Sequence, residues 1–363
     1  MQIINPMLKQ LPLLGLKPPL LSRDREGAAP FTRFSRVFEV AQKSGIWPLA
    51  ALAALGGAVL YSQQNETGTV FHSDIRLVVC HTTVVDRSGH LVDHLTQDAF
   101  SVFENNVRQQ IKVFKHEDVP VSMGLVIDSS GSMRNSNKRA GVEAAAMALI
   151  QASNPDDEVF VIHFNDETYF DNPGGKEFLT KPEEMREALG RTEPSGGTAM
   201  RDAVQLAVNW LKKAHKEKKV LVVVTDGEDN ASSEDNTLEN VVRSARQNEV
   251  LIYSVGLLSE EDHKAAANAR HQLNELSEAT GGEAFYPREV SEVDPIARQV
   301  ARDLRSQYTI EYTPSNPAMD GSFRRIRVSV KAPGGPSART RTGYYATPDR
   351  IAGAGPAPAD LRR

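Results

Sequence analysis

Between Pro120 and about Pro287 the chain alternates short, continuously apolar runs with longer stretches that are apolar only at helical spacing. The runs Ser122–Ile127, Glu158–Phe164, Val220–Thr225, Leu251–Val255 and Glu283–Tyr286 are too short for helices and show no polar face. They read as strands covered on both sides. Helices are expected near Arg139–Ala152, Glu183–Leu189, Met200–His215, Leu238–Asn248 and His263–Thr280. Val142, Ala145, Ala146 and Leu149 have the spacing of a helix face laid on a sheet, and Gly281-Gly282 supplies a helix stop. Such alternation predicts an α/β fold with a doubly wound, mostly parallel sheet flanked by helices.

The flanks carry a different rhythm. Val78 to Val85 is β-rich, and Asp86-Arg87-Ser88-Gly89 supplies turn residues. Leu95 to Phe100 reads as a single capped helical turn. Ser101–Glu104 and Gln110–Phe114 flank Asn105-Asn106, which predicts a hairpin. After the α/β region, a helix from Ser291 to about Arg305 leads into strands at Gln307–Tyr312, Phe323–Val330 and Thr342–Ala346. Neither set of strands can bury a core alone, so the two are expected to join in one small β module. The expected division is therefore 70–118 for the first part of that module, 119–306 for the α/β domain and 307–347 for the strands that complete the module.

The ends are compositionally distinct. Residues 1–45 are interrupted by proline and carry Arg23, Arg25, Arg33, Arg36 and Lys43 without a sustained period, so order is not expected there. The run 46–61 has no charge, and as a helix it would be roughly 24 Å long, which suits a signal-peptide core or a short membrane anchor within 46–62. Basic residues before it and Gln63-Gln64-Asn65-Glu66 after it direct the downstream chain outward, to a periplasm or cell surface. The tail 348–363 is rich in Ala, Pro and Gly and is expected to be disordered.

Composition narrows the function classes. The chain has 363 residues, 40% of them hydrophobic and 25% charged, and a net charge of −5, which gives no basis for nucleic-acid binding. Its single cysteine, Cys80, rules out an intrachain disulfide or a cysteine-based zinc site, and its strand-like surroundings make it a small core residue.

The candidate chemistry sits at the ends of predicted strands. Asp128-Ser129-Ser130-Gly131-Ser132 follows the run Met123–Ile127, placing a carboxylate and hydroxyls on one loop. Ser195-Gly196-Gly197-Thr198 offers another hydroxyl, and Val222-Val223-Val224-Thr225-Asp226-Gly227 ends a second strand on a second carboxylate. Short oxygen-bearing side chains suit a small hard cation, Mg²⁺ first and Mn²⁺ or Ca²⁺ after it. Open α/β sheets bind their ligands at this end of the strands. Glu228 and Asp229 read as a solvated loop. His163 closes a strand with no second His or Cys nearby, which argues against zinc.

At these residues the chain resembles the von Willebrand factor type A domain and its metal-ion-dependent adhesion site. That family's pattern is D-x-S-x-S, a Thr after Gly-Gly, and the Asp of T-D-G; Asp128, Ser130, Ser132, Thr198 and Asp226 match it without departure. The resemblance implies a Rossmann-like fold and an ion held by those residues, with Asp226 reaching it through water. Leu95–Phe100, Asp118–Ser122, Tyr308 with Tyr312, and Gly321–Arg324 are similar to a bacterial branch of related proteins abundant in acidobacteria-like genomes. This second likeness extends the resemblance to roughly 70–346.

A shell dominated by neutral hydroxyls leaves a divalent ion with residual positive charge. The expected ligand is therefore an Asp or Glu of a partner protein, in an exported or membrane-anchored adhesion or assembly module. Ser129, Gly131 and Gly197 are candidates for supporting the loop, and Arg134 for touching the partner. Asp202, four residues after Thr198, is either a support for the ion or a first-turn helix residue. A phosphoester hydrolase is the alternative, but Ser130 stands where such chemistry wants a second carboxylate, and no GxxxxGK cradle exists for a nucleotide. The expectation is a non-enzymatic protein. A metal-free scaffold is the remaining alternative.

Overall fold

The computed structural model describes residues 77–347 apart from 135, 192 and 259–261. The basic segment 1–45, the apolar run 46–61 and the tail 348–363 lie outside the described residues. The central sheet has the strand order β10-β9-β8-β5-β6-β7. Here β5 is Val121–Asp128, β6 Glu158–Phe164, β7 Thr168–Phe170, β8 Lys218–Thr225, β9 Val250–Gly256 and β10 Ala284–Phe285. All neighbours are parallel except β6 and β7, whose antiparallel pairing adds an edge strand that the sequence pattern did not reveal.

Among the described residues six helices cover the sheet: α1 (Ser136–Ala152), α2 (Pro182–Leu189), α3 (Met200–Trp210), α4 (Leu238–Gln247), α5 (His263–Thr280) and α6 (Val293–Arg305). On one face Val121, Met123, Leu125 and Ile127 of β5 pack with α1, α2 and α6. On the other, Val126 packs with α3, α4 and α5. This two-residue alternation between two cores is why the strand reads as unbroken apolar sequence. The helix expected over Met200–His215 is shorter than the pattern suggested. It ends at Trp210 and tightens into a 3-10 turn, Leu211–Lys213, because the chain must turn back to enter β8. The stop at Gly281 is as read: its φ of 95° is a left-handed cap that a side chain disfavours.

Strands from both flanks meet in two four-stranded sheets, ordered β13-β1-β11-β4 and β14-β12-β2-β3. They comprise β1 (Val78–Val85), β2 (Phe100–Glu104), β3 (Val107–Gln109), β4 (Ile111–His116), β11 (Tyr308–Tyr312), β12 (Phe323–Val330), β13 (Ser337–Arg339) and β14 (Gly343–Tyr345). The expected hairpin between Ser101–Glu104 and Gln110–Phe114 is corrected. Asn105 and Asn106, both at positive φ, turn β2 into β3, and the chain then leaves so that β4 pairs with β11 in the other sheet. One apolar core, including Val78, Cys80, Val102, Tyr308, Tyr312, Ile326 and Tyr344, joins the two sheets.

Glu104 ties the sheets through polar contacts as well. It accepts from Tyr312 Oη at 2.8 Å across the core, from Tyr344 Oη at 2.9 Å and from Arg324 Nη1 at 3.2 Å.

Candidate functional site

Register places the two strand-end carboxylates side by side. Ile127 of β5 lies opposite Val224 of β8, so the next residues, Asp128 and Thr225, meet where both strands end. Asp128 is 2% exposed. Its Oδ1 accepts from the Ser130 amide at 2.7 Å, and its Oδ2 accepts from Thr225 Oγ1 at 2.5 Å. Burial pushes its carboxyl above the ordinary value, against the hydrogen bonds from Ser130 and Thr225 that pull it down.

Above it, Ser130 Oγ and Ser132 Oγ are 2.9 Å apart, and Ser132 Oγ donates to Asp226 Oδ1 at 2.7 Å. Asp226 is buried, and its Oδ2 accepts from Lys138 Nζ at 2.6 Å. Thr198 is buried beside this group: a β-carbon on Gly227 would lie 3.8 Å from its Oγ1. Its backbone N–H donates to Asn230 Oδ1 at 2.9 Å, and among the described residues no hydrogen bond uses its hydroxyl.

The loops are locked to one another by backbone. The Gly131 amide donates to Gly196 O at 3.0 Å, and the Ser195 amide donates to Ser129 O at 2.9 Å. Ser129 Oγ points away from the cluster and donates to Phe164 O at 2.9 Å. The Gly197 amide donates to Asp166 Oδ1 at 2.9 Å, and a β-carbon there would come within 2.7 Å of that oxygen. A larger residue there would have to push the Asp166 carboxylate and the Asn230 amide aside.

Asp128, Ser130, Ser132 and Asp226 are therefore brought together, with Thr198 beside them. Asp202 is not directed to them. Its carboxylate accepts from Ser233 and from Asn236 Nδ2 at 2.8 Å, holding the next loop. Arg134 is exposed on the rim, with Nε 3.3 Å from Pro194 O. Asp229, read from sequence as a solvated loop residue, is instead buried: it accepts from the Arg201 amide at 2.7 Å and pairs with that guanidinium at 3.1 Å. His163 is buried against Asp171, with its Nδ1 2.6 Å from Oδ2.

Sequence reasoning missed Lys138, Thr225 and Asn230 as parts of the site. Thr225 was readable, because a polar residue at the inward register position of a buried strand end needs a partner. Lys138 and Asn230 carried no such signal.

The oxygens present fit a small hard cation. An Mg²⁺–oxygen distance of about 2.0–2.1 Å puts adjacent oxygens of an octahedron about 2.9 Å apart, close to the Ser130–Ser132 and Ser132–Asp226 separations of 2.9 and 2.7 Å. Among the described residues no group of three or more His, Cys, Asp or Glu could hold a metal, so hydroxyls would have to supply much of the shell. A cavity of about 620 Å³ lined by His81, Lys218 and Arg341 lies at the opposite, amino ends of the strands, away from these groups.

A mostly parallel sheet flanked by helices defines the class, and residues 123–299 match the family described as von Willebrand factor type A domain. The chain carries a domain of that fold, with the two antiparallel sheets added from its flanks. Among solved structures it is similar to a von Willebrand factor type A protein from Catenulispora acidiphila, at 16% identity over 70% of this chain and 76% of that one, with a TM-score of 0.46. It is also similar to the vWF domain of the type V pili tip protein Mfa5 from Porphyromonas gingivalis, at 12% identity over 52% and 97%, with a TM-score of 0.42. A third is an aerotolerance-related membrane protein from Bacteroides fragilis, at 14% identity over 51% and 98%, with a TM-score of 0.41. No curated protein matches the chain.

Proposed function

We propose that this protein is a metal-dependent protein-binding module that grips an acidic residue of a partner. The observation that carries this reading is the placing of Ser132 Oγ 2.9 Å from Ser130 Oγ and 2.7 Å from Asp226 Oδ1, beside the buried Asp128. Ser130, Ser132 and Thr198 would hold Mg²⁺, or Mn²⁺ or Ca²⁺, with Asp128 and Asp226 beneath and beside it. Bound there, the ion would offer a coordination position to a carboxylate.

The chain's own residues prepare that arrangement. Thr225 and the Ser130 amide fix the Asp128 carboxylate, so it does not have to be ordered when a cation arrives. The glycine backbone of 196–197 brings Thr198 close without a β-carbon in the way. Neutral hydroxyls keep the protein's negative charge low, which favours an anionic ligand.

Export or membrane anchoring, with this domain outside the cytoplasm, is proposed from the uncharged run at 46–61 and its basic flank.

The test is affinity capture from the native surface fraction with the full chain, in Mg²⁺ and in excess chelator, alongside Asp128→Ala. Capture is expected in Mg²⁺ alone and to be lost with the variant. Capture that survives chelator contradicts the proposal.

A further inference from the structure

Lys138, one turn inside α1, places its ammonium 2.6 Å from Asp226 Oδ2, while Ser132 takes Oδ1 of the same carboxylate. The Asp226 side chain is 1% exposed and that of Lys138 25%. Its neighbour Arg139 is turned elsewhere, to Glu143 and Glu193, and Arg201 is engaged by Asp229. Among the described residues, Lys138 is thus the cation paired with Asp226.

Charge bookkeeping gives this pair a consequence. Asp128 and Asp226 together bring −2 to the cluster, and Lys138 returns +1. Lys138 therefore makes the site a weaker trap for a cation and a stronger one for an anion arriving afterwards. We propose that Lys138 sets the site's preference for an acidic ligand by cancelling the charge of Asp226. This rests on the metal-dependent reading above.

The two effects have opposite signs, which separates them from a merely structural role. At about 6 Å in a water-like dielectric, a unit charge changes affinity about tenfold for a divalent ion and about threefold for a carboxylate. A lysine that only held α1 in place would, when lost, weaken both.

The experiment compares the full chain with Lys138→Gln, which keeps a donor for Oδ2 but no charge, and Lys138→Arg, which keeps the charge. Mn²⁺ binding is read by the electron paramagnetic resonance signal of the free ion. Acetate binding to the Mn²⁺-loaded protein is read by water proton relaxation. Lys138→Gln is expected to bind Mn²⁺ about tenfold more tightly and acetate about threefold more weakly, with Lys138→Arg near the wild type in both. If the glutamine variant does not fold, Lys138→Met carries the same test of sign. Mn²⁺ binding that is unchanged or weaker in the neutral variant overturns the proposal while leaving the metal site standing. Failure of the wild type and the variants alike to bind Mn²⁺ overturns both.

Discussion

Thr225 donates its hydroxyl to Oδ2 of Asp128 at 2.5 Å, across the seam between β5 and β8. This bond ties the ends of two central strands and holds the buried carboxylate facing the loop hydroxyls. Thr225→Val keeps the shape and removes the donor. The expected cost is about 1–3 kcal/mol, the price of a buried acceptor left unmet, read by urea denaturation in chelator. Unchanged stability would mean that Asp128 finds another donor.

Gly197 tests the loop from the opposite side. A β-carbon there would stand 2.7 Å from Asp166 Oδ1 and 2.8 Å from Asn230 Oδ1, and Asn230 is the group that holds the Thr198 amide. Gly197→Ala is expected to displace Thr198 and weaken Mg²⁺ binding several-fold, while far-ultraviolet circular dichroism stays that of the native fold. Calorimetric titration checks the first and spectroscopy the second.

The flanking sheets have their own linchpin. Glu104 and Arg324 are 3% and 2% exposed and pair at 3.2 Å. Glu104→Ala would take the carboxylate from the buried Arg324 guanidinium, leaving it on the Asn316 and Ala318 carbonyls, and would remove the acceptor that Tyr312 and Tyr344 share. Breaking a buried pair in this way costs about 3–5 kcal/mol. Thermal melting of the full chain should show that loss, with the metal affinity unaffected.

Lys218 predicts a pH dependence. It is 4% exposed and donates to Leu304 O at 2.6 Å, and among the described residues no carboxylate is in ion-pair contact with it. Burial lowers its pKa from 10.5 to about 7, with Asp157, Asp118 and Asp303 opposing the fall. The unfolded chain then holds this proton more tightly than the folded one. Its contribution therefore makes the protein less stable as pH drops from 10.5 to about 7, and levels off below that. Lys218→Met should be the more stable protein at neutral pH by a few kcal/mol, since each tenfold change in proton affinity is worth about 1.4 kcal/mol. The advantage should shrink as pH rises toward 10.5, and denaturation at several pH values checks it. An advantage that does not change with pH would contradict the assignment.

The α/β architecture was legible because its strands are covered on both faces. Val121 to Ile127 must be apolar throughout, and strand-sized apolar runs between helical periods have few other readings. The loop residues were legible because Asp128, Ser130 and Ser132 lie within five positions of one another. What could not be read depends on pairing across the chain. The edge strand Thr168–Phe170 is short and partly exposed. The departure of β4 from the expected hairpin is set by its partner β11, nearly two hundred residues away. Lys138 reads as an ordinary solvated helix lysine until Asp226 is placed beside it, and Asp229 looks exposed until Arg201 covers it.

The most direct measurement is a calorimetric Mg²⁺ titration of the full chain beside Ser132→Ala, whose lost hydroxyl lies between Ser130 and Asp226. The wild type is expected to bind one ion, and the variant to bind it at least about tenfold more weakly, the order expected for removing one oxygen from an ion's shell or its support. A wild type that takes up no Mg²⁺, Mn²⁺ or Ca²⁺, or a variant that binds as well as the wild type, would contradict the account.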